Sequence, residues 1–329
     1  MSAHSGAKIG GEFALIRQFF HQKPQHQAQV DLSVGDDAAL FRVAHGQQCV
    51  VSTDLLVSGR HFFADAAPRL LGHKALAVNL SDLAAMGAQP LAFTLSIALP
   101  SVDEAWLADF SAGMFALAQT HQCDLIGGDT TRSEQLVIGI TILGQLPRGA
   151  AILRSGAQVG DDVWVSGTLG GAAYALDLLQ NGAAHVPELL RQRLEAPTPR
   201  VALGLALRGI ATAMLDVSDG LAGDLMHVLR ASNLAATIEC DDLPMPFELQ
   251  ELPQLEAWRY AVTGGDDYEL CFTAPATQRA ALTALSVAQG VALTRIGLTT
   301  AGAPNITWRS QSNPAHLAQM SDWTGYNHF

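Results

Sequence analysis

The chain is poor in positive charge. It carries 19 Lys and Arg against 31 Asp and Glu among 329 residues, a formal net charge of −12. No run of Lys or Arg reverses that balance locally, which argues against nucleic acid or an anionic membrane as the main partner. Cysteine is scarce too. Cys49, Cys123, Cys240 and Cys271 stand far apart with no C-x-x-C pair. Zinc is therefore not expected, and a reduced, cytoplasmic setting is the simpler reading. Long apolar runs are also missing. The stretch 75–99 is broken by Asn79, Ser81, Asp82, Gln89 and Pro90 and does not read as a membrane span. Residues 1–8 lack the apolar segment of a signal peptide. The absence of G-x-x-x-x-G-K-[ST], G-x-S-x-G and H-E-x-x-H excludes a P-loop, a nucleophile elbow and a histidine zinc helix.

What remains is a chain with 49% hydrophobic and 15% charged residues. That composition supplies a large core, and the length fits two domains, placed at 1–149 and 150–329. Periodicity and punctuation predict helices over 11–20, 68–86 and 104–121, the last capped by Asp103. Strands are expected at 48–53, delivering Asp54 at its end, and at 91–98, 123–126 and 136–144, with 127–132 as the loop between the last two. The second half predicts strands at 162–166, 213–217, 235–240, 268–273 and 291–298. Its helices are expected near 172–181, 186–195, 200–212, 221–230 and 277–289. Strands and helices mix in both halves without strict alternation, so the expected class is α+β with two mixed α/β domains, the C-terminal one larger.

Aspartates interrupt the apolar and small-residue stretches: Asp36-Asp37 after Gly35, Asp54 after Val-Val-Ser-Thr, Asp82 in a helix, Asp129 after Gly127-Gly128, Asp216 and Asp219 around Val-Ser, and Asp266-Asp267 after Gly264-Gly265. Each has a plain reading. Gly-Asp-Asp is a common turn, Asp219 before Gly220 could cap a helix, Gly127-Gly128-Asp129 could be a hairpin turn, and Asp82 could be solvated. Together they read differently. A carboxylate in apolar surroundings must be paired or metal-bound, and the cations are too few to pair them all. Hard divalent ions prefer oxygen ligands, and glycine-flanked strand ends are where α/β proteins place phosphates. The pattern points to several magnesium ions with a phosphate substrate.

Six runs then resemble one family. They are Val34-Gly-Asp-Asp-Ala-Ala-Leu40, Ser52-Thr-Asp-Leu-Leu-Val-Ser-Gly-Arg-His61, Lys74 to Ala88, Gly127-Gly-Asp-Thr-Thr131, Asp216-Val-Ser-Asp-Gly-Leu221 and Gly264-Gly-Asp-Asp-Tyr-Glu-Leu270. In order and spacing the chain resembles thiamine-monophosphate kinases, within a superfamily that includes aminoimidazole-ribonucleotide synthetase. The resemblance implies ATP-dependent phosphorylation of thiamine monophosphate to thiamine diphosphate, several Mg²⁺ ions, and a homodimer joined through N-terminal sheets. It implies metal ligands at Asp37, Ser52, Thr53, Asp54, Asp82, Asp129, Asp216 and Asp219, with Asp54, Asp129 and Asp219 acting on the reacting phosphate. It places ATP against Gly128, Asp129, Arg154 and Ser218, and thiamine phosphate against His61, Asp266 and Tyr326. The chain departs from the family at Asp266, where Glu is usual. Selenophosphate synthetases are disfavoured because no cysteine precedes Cys49, and hydrogenase-maturation relatives because the chain ends in Gly-Tyr-Asn-His-Phe rather than cysteine. A non-catalytic sensor of thiamine diphosphate is disfavoured because it has little need of so many carboxylates.

Overall fold

The computed structural model of the chain describes residues 12–21, 27–320 and 322–326. It divides into two compact units, residues 1–79 with 90–145 and residues 80–89 with 146–329. The boundary expected at 149/150 thus compares with a division at 145/146, and the stretch 80–89 counts with the second unit. Gly11, the first residue of the expected 11–20 helix, and the last three residues of the chain lie outside what the structure describes.

In the first unit, α1 (Glu12–Leu15) runs into a π-helical turn, Ile16–Phe20. A short antiparallel pair follows, β1 (Val30–Leu32) and β2 (Leu40–Phe41). β3 (Gln47–Val57), β4 (Gln89–Leu99), β5 (Asp124–Arg132) and β6 (Val137–Pro147) make a four-stranded sheet in the order β3-β6-β4-β5, with β4 and β5 parallel. α2 (Pro68–Ala85) starts with proline, whose missing N–H costs nothing in a first turn. α3 (Glu104–Thr120) is capped as expected: Asp103 Oδ1 accepts the amides of Ala105 and Trp106. Phe93, Leu107, Phe110, Met114, Ile138, Ile140 and Ile142 are buried in this unit.

Two expectations change here. β3 does not stop before Asp54; it continues to Val57, so Asp54 is a strand residue. Nor is Gly127–Arg132 a loop. It is the second half of β5, laddered on Thr94 to Leu99 of β4. Gly128 makes that possible. Its φ is +145°, and a Cβ there would lie 1.8 Å from the Leu95 carbonyl oxygen, so only glycine lets β5 stay on the ladder.

The second unit carries β7 (Asp162–Ser166), α4 (Gly171–Gln180), α5 (Glu188–Glu195), α6 (Val201–Ala206), β8 (Ala213–Val217), α7 (Leu221–Ser232) and β9 (Ala235–Glu239). Then come α8 (Phe247–Gln250), α9 (Gln254–Thr263), β10 (Glu269–Ala274), α10 (Arg279–Gln289), β11 (Leu293–Thr300) and β12 (Ile306–Arg309). The six strands form one sheet in the order β12-β9-β11-β7-β10-β8, antiparallel except for β12 on β9. One face packs Val163, Val165, Leu215 and Val217 against Leu225 and Leu229 of α7 and Trp258 and Val262 of α9. The helix expected over 200–212 is shorter, and α8, α9 and β12 were not anticipated.

Candidate functional site

In the first unit the expected ligands divide by strand. On β3, Thr53 shares its side with exposed Val51 and Leu55, whereas Ser52 and Asp54 alternate to the other. The Thr53 hydroxyl donates to the Ile140 carbonyl, 3.0 Å away, and lies 3.1 Å from the Thr141 hydroxyl. Thr53 can join Ser52 and Asp54 at a cation only through its main-chain oxygen. The Asp54 amide donates to Asn79 Oδ1 at 3.2 Å, and Asn79, buried in α2, returns its Nδ2 to the Ala75 carbonyl. Asp129 is exposed on β5, opposite Ser96 of β4 in the ladder. β3 and β5 are the two edges of the sheet, so Asp54 and Asp129 are three strand spacings apart, about 14 Å. Within one copy the structure does not bring these two together.

Asp37 is exposed, and its amide donates to the Asp36 carboxylate at 2.8 Å, the local bond of a turn. His61 receives the Val57 amide on Nδ1 at 3.0 Å. That bond assigns the ring proton of the neutral form to Nε2.

The second unit gathers the rest. Asp216 is the penultimate residue of β8, 7% exposed. The buried Ser81 hydroxyl donates to its Oδ2 at 2.6 Å. Burial pushes the Asp216 carboxyl up to about 6; the like charge of Asp82 adds to this, while the Ser81 bond and the Arg154 charge oppose it. Arg154 is exposed at the surface, yet its charge reaches Asp216.

From Val217, the last residue of β8, the chain turns through Ser218–Gly220 into α7, and its main chain here is bonded on both sides. Asp224 Oδ2 accepts the amides of Ser218 at 3.1 Å and Asp219 at 3.0 Å. The carbonyls of Val217, Ser218 and Asp219 accept the amides of Tyr268, Asp266 and Tyr326 at 2.8, 2.9 and 2.8 Å. One turn thus links Asp216 and Asp219, the nucleotide candidate Ser218, and the substrate candidates Asp266 and Tyr326. Gly265 is required for the fit, because a Cβ there would lie 2.5 Å from the Ser218 oxygen. Asp266 and Tyr268 both adopt left-handed backbone, φ 66° and 50°, and the Tyr268 hydroxyl donates to Asp266 Oδ1 at 2.9 Å. Such conformations concentrate at functional sites.

Asp224 was missed by sequence reasoning. Gly220, not Asp219, occupies the N-cap of α7, and Asp224 in the first turn reaches back to the Ser218 and Asp219 amides of the turn before the helix. Its burial pushes the carboxyl up to about 7, against the pull of the Asp219 amide and with the charges of Asp216 and Asp219 adding. The available signal was an acid in a helix's first turn, where the positive end of the helix dipole favours negative charge. Ser81 was also passed over, although it lies inside the Lys74–Ala88 run.

Among the described residues no three His, Cys, Asp or Glu side chains gather closely enough to hold a metal ion. Mg²⁺ needs no such cage, because it keeps its waters and takes one or two carboxylates plus substrate phosphates. Asp82 and Asp216 are such a pair: oxygen donors that repel each other without a cation between them.

The chain matches two family models, AIR synthase related protein, N-terminal domain, over residues 35–146, and the corresponding C-terminal domain over 158–309. It is 44% identical to a thiamine-monophosphate kinase of Salmonella typhimurium over 324 residues, covering 97% of this chain and 98% of that one. The crystal structure of thiamine-monophosphate kinase from Stenotrophomonas maltophilia superposes with a TM-score of 0.82 at 49% identity, over 85% of this chain and 91% of that one. A further solved structure, AaThiL complexed with AMPPCP and TMP, superposes at 0.75 with 28% identity over 97% of both chains. With both units matched and a relative at 44% identity along nearly the whole length, the chain belongs to the thiamine-monophosphate kinase family.

Proposed function

We propose that this chain catalyses phosphoryl transfer from ATP to thiamine monophosphate, giving thiamine diphosphate and ADP. The observation that carries this reading is the full-length match to a relative solved with AMPPCP and TMP together. The linked turn described above supports it, because that turn ties metal, nucleotide and substrate candidates into one piece of backbone. The acceptor phosphate is already anionic, so the reaction needs no strong base. Its barrier is the repulsion of two polyanions, and the protein's task is to position them.

Mg²⁺ ions, when bound, would supply the charge neutralisation across both phosphates. Asp82, Asp216 and Asp219 are the residues of the second unit that would hold them, and Asp37, Ser52, Asp54 and Asp129 those of the first, with Thr53 adding its carbonyl. Arg154 presents a fixed positive charge for the nucleotide, Ser218 its hydroxyl, and Gly128 its main chain. Asp266 offers a negative charge to the thiazolium cation, Tyr326 an aromatic face and His61 a ring N–H.

We also infer a homodimer. Val51 and Leu55 are 58% and 59% exposed on the outer side of β3, an apolar surface that a second copy would cover. The separation of Asp54 from Asp129 supports the same view, since pairing two copies is an arrangement that can join one of each. The setting we propose is cytoplasmic; among the described residues no helix is long and apolar enough to cross a membrane.

The test is incubation with ATP, Mg²⁺ and thiamine monophosphate, read by chromatography, beside arms with free thiamine and with exhaustive EDTA. Thiamine diphosphate should form only with metal, and thiamine should be the far poorer acceptor because it lacks the phosphate that positions it. Full turnover in EDTA, or equal kcat/KM for both acceptors, would overturn the reading.

A further inference from the structure

Asp224 is 6% exposed, in the first turn of α7. A carboxylate buried this far must have partners. The partners recorded for it are main-chain amides: its Oδ2 takes the N–H groups of Ser218 and Asp219. The opposite side of the same turn accepts Tyr268, Asp266 and Tyr326 through its carbonyls. A single oxygen atom therefore fixes the peptide planes between two ligand candidates, Asp216 and Asp219, and the segments that carry two substrate candidates.

We propose that Asp224 is a positioning residue for both halves of the reaction. It sets the separation of the Asp216 and Asp219 carboxylates, and it seats Asp266 and Tyr326 against them. The inference rests on the kinase reading above and assigns Asp224 the role of holding the two amides through Oδ2, not that of a metal ligand. What the site requires at 224 is an acceptor oxygen in one place, not a charge. An amide oxygen at that point accepts the same two bonds. A carboxylate pushed out by one methylene does not reach them without moving the turn. The order of variants is therefore the reverse of what charge would dictate: Asp224→Asn is tolerated, and Asp224→Glu is not.

The experiment uses the full-length protein. Mn²⁺ binding without nucleotide is measured by electron paramagnetic resonance. The KM for thiamine monophosphate, kcat and a thermal melt accompany it. Asp224→Glu and Asp224→Ala should weaken Mn²⁺ binding about tenfold or more, the usual cost of losing a group that orients ligands, and should raise the KM in step. Asp224→Asn should stay close to the unsubstituted protein in both. A residue that only supports the fold would lower the melt and leave Mn²⁺ affinity and KM alone. Where Asp224→Ala fails to fold, the Glu and Asn pair decides. The inference is overturned if folded Asp224→Asn is as impaired as Asp224→Glu, or if Asp224→Glu keeps unsubstituted Mn²⁺ affinity and KM. An unsubstituted protein that does not turn over thiamine monophosphate would sink the kinase reading first, and this inference with it.

Discussion

Ser81 donates a 2.6 Å hydrogen bond to Asp216 Oδ2, from a helix residue with no exposed surface to a buried strand end. Bonds from a hydroxyl to an ionised carboxylate are short and strong, and this one leaves the other oxygen of Asp216 for the cation proposed above. Ser81→Ala should therefore leave a folded enzyme that needs about tenfold more Mg²⁺ for half-maximal rate, the scale of effect expected when a ligand loses its orienting partner. Ser81→Thr, which keeps the hydroxyl, should lie near the unsubstituted value. A Mg²⁺ titration of activity measures this, and an unchanged half-saturation in Ser81→Ala would separate the bond from the site.

Much of this was legible in the sequence because the signals were local. Asp103 is a cap with its own helix behind it, and the Pro68 start of α2 needs no tertiary help. What escaped was set by partners far away in sequence. Gly127-Gly128 reads as a turn, but the β4 ladder turns it into a strand. α9 begins after Pro253 with no side-chain cap, and its buried Trp258 and Val262 owe their place to the sheet beneath. The acidic motifs were found one by one. Their linkage through the 217–220 turn runs entirely through main-chain groups, which no residue type announces.

In the proposed site Asp54→Asn and Asp129→Asn should each lower kcat by about a hundredfold or more, since each would remove charge that acts on the transferred phosphoryl group. Their positions at opposite sheet edges add a sharper outcome. If one active site draws Asp54 from one copy and Asp129 from the other, mixing the two inactive variants with subunit exchange restores intact sites, about a quarter of the total. Sites confined to one copy recover nothing on mixing. Steady-state rates of the mixture against each variant alone decide between them.

Asp267 gives a pH prediction for stability rather than rate. It is 7% exposed, its Oδ2 accepts the Gly170 amide at 2.7 Å at the start of α4, and no hydrogen bond reaches its buried Oδ1. Burial pushes this carboxyl up to about 8, with the nearby Glu269 charge adding and the amide bonds opposing. The folded state thus holds a proton that the unfolded chain releases near the ordinary carboxylate value. Its contribution is fully present below that value and is lost as pH rises toward 8. Thermal melts should fall across this window in the unsubstituted protein and fall less in Asp267→Asn, which carries no titrating group. Parallel pH dependences in the two proteins would assign the raised carboxyl no role in stability.

Asp266, where the resemblance implies Glu, sits in left-handed backbone, with its amide on the Ser218 carbonyl and a carboxylate oxygen on the Tyr268 hydroxyl. Asp tolerates that backbone better than most residues. If the carboxylate meets the thiazolium end of the substrate, Asp266→Ala should raise KM for thiamine monophosphate about fivefold while KM for ATP barely moves, the value of one ion pair at a partly open site. Asp266→Glu should remain active, because it restores the commoner side chain. Ala also carries a backbone cost at this φ, so Asp266→Gly is the control. Glycine removes the carboxylate but is at ease in the left-handed region. It should keep the melt of the unsubstituted protein and show the same raised KM. Were Asp266 only a support for the Gly264–Tyr268 turn, Ala would lower stability by about 1 kcal/mol, as the loss of a cap does, and Gly would restore it, with both KM values unchanged. Two KM measurements and a melt on the three variants therefore separate contact from support, and a normal thiamine monophosphate KM in Asp266→Gly would remove Asp266 from the substrate site.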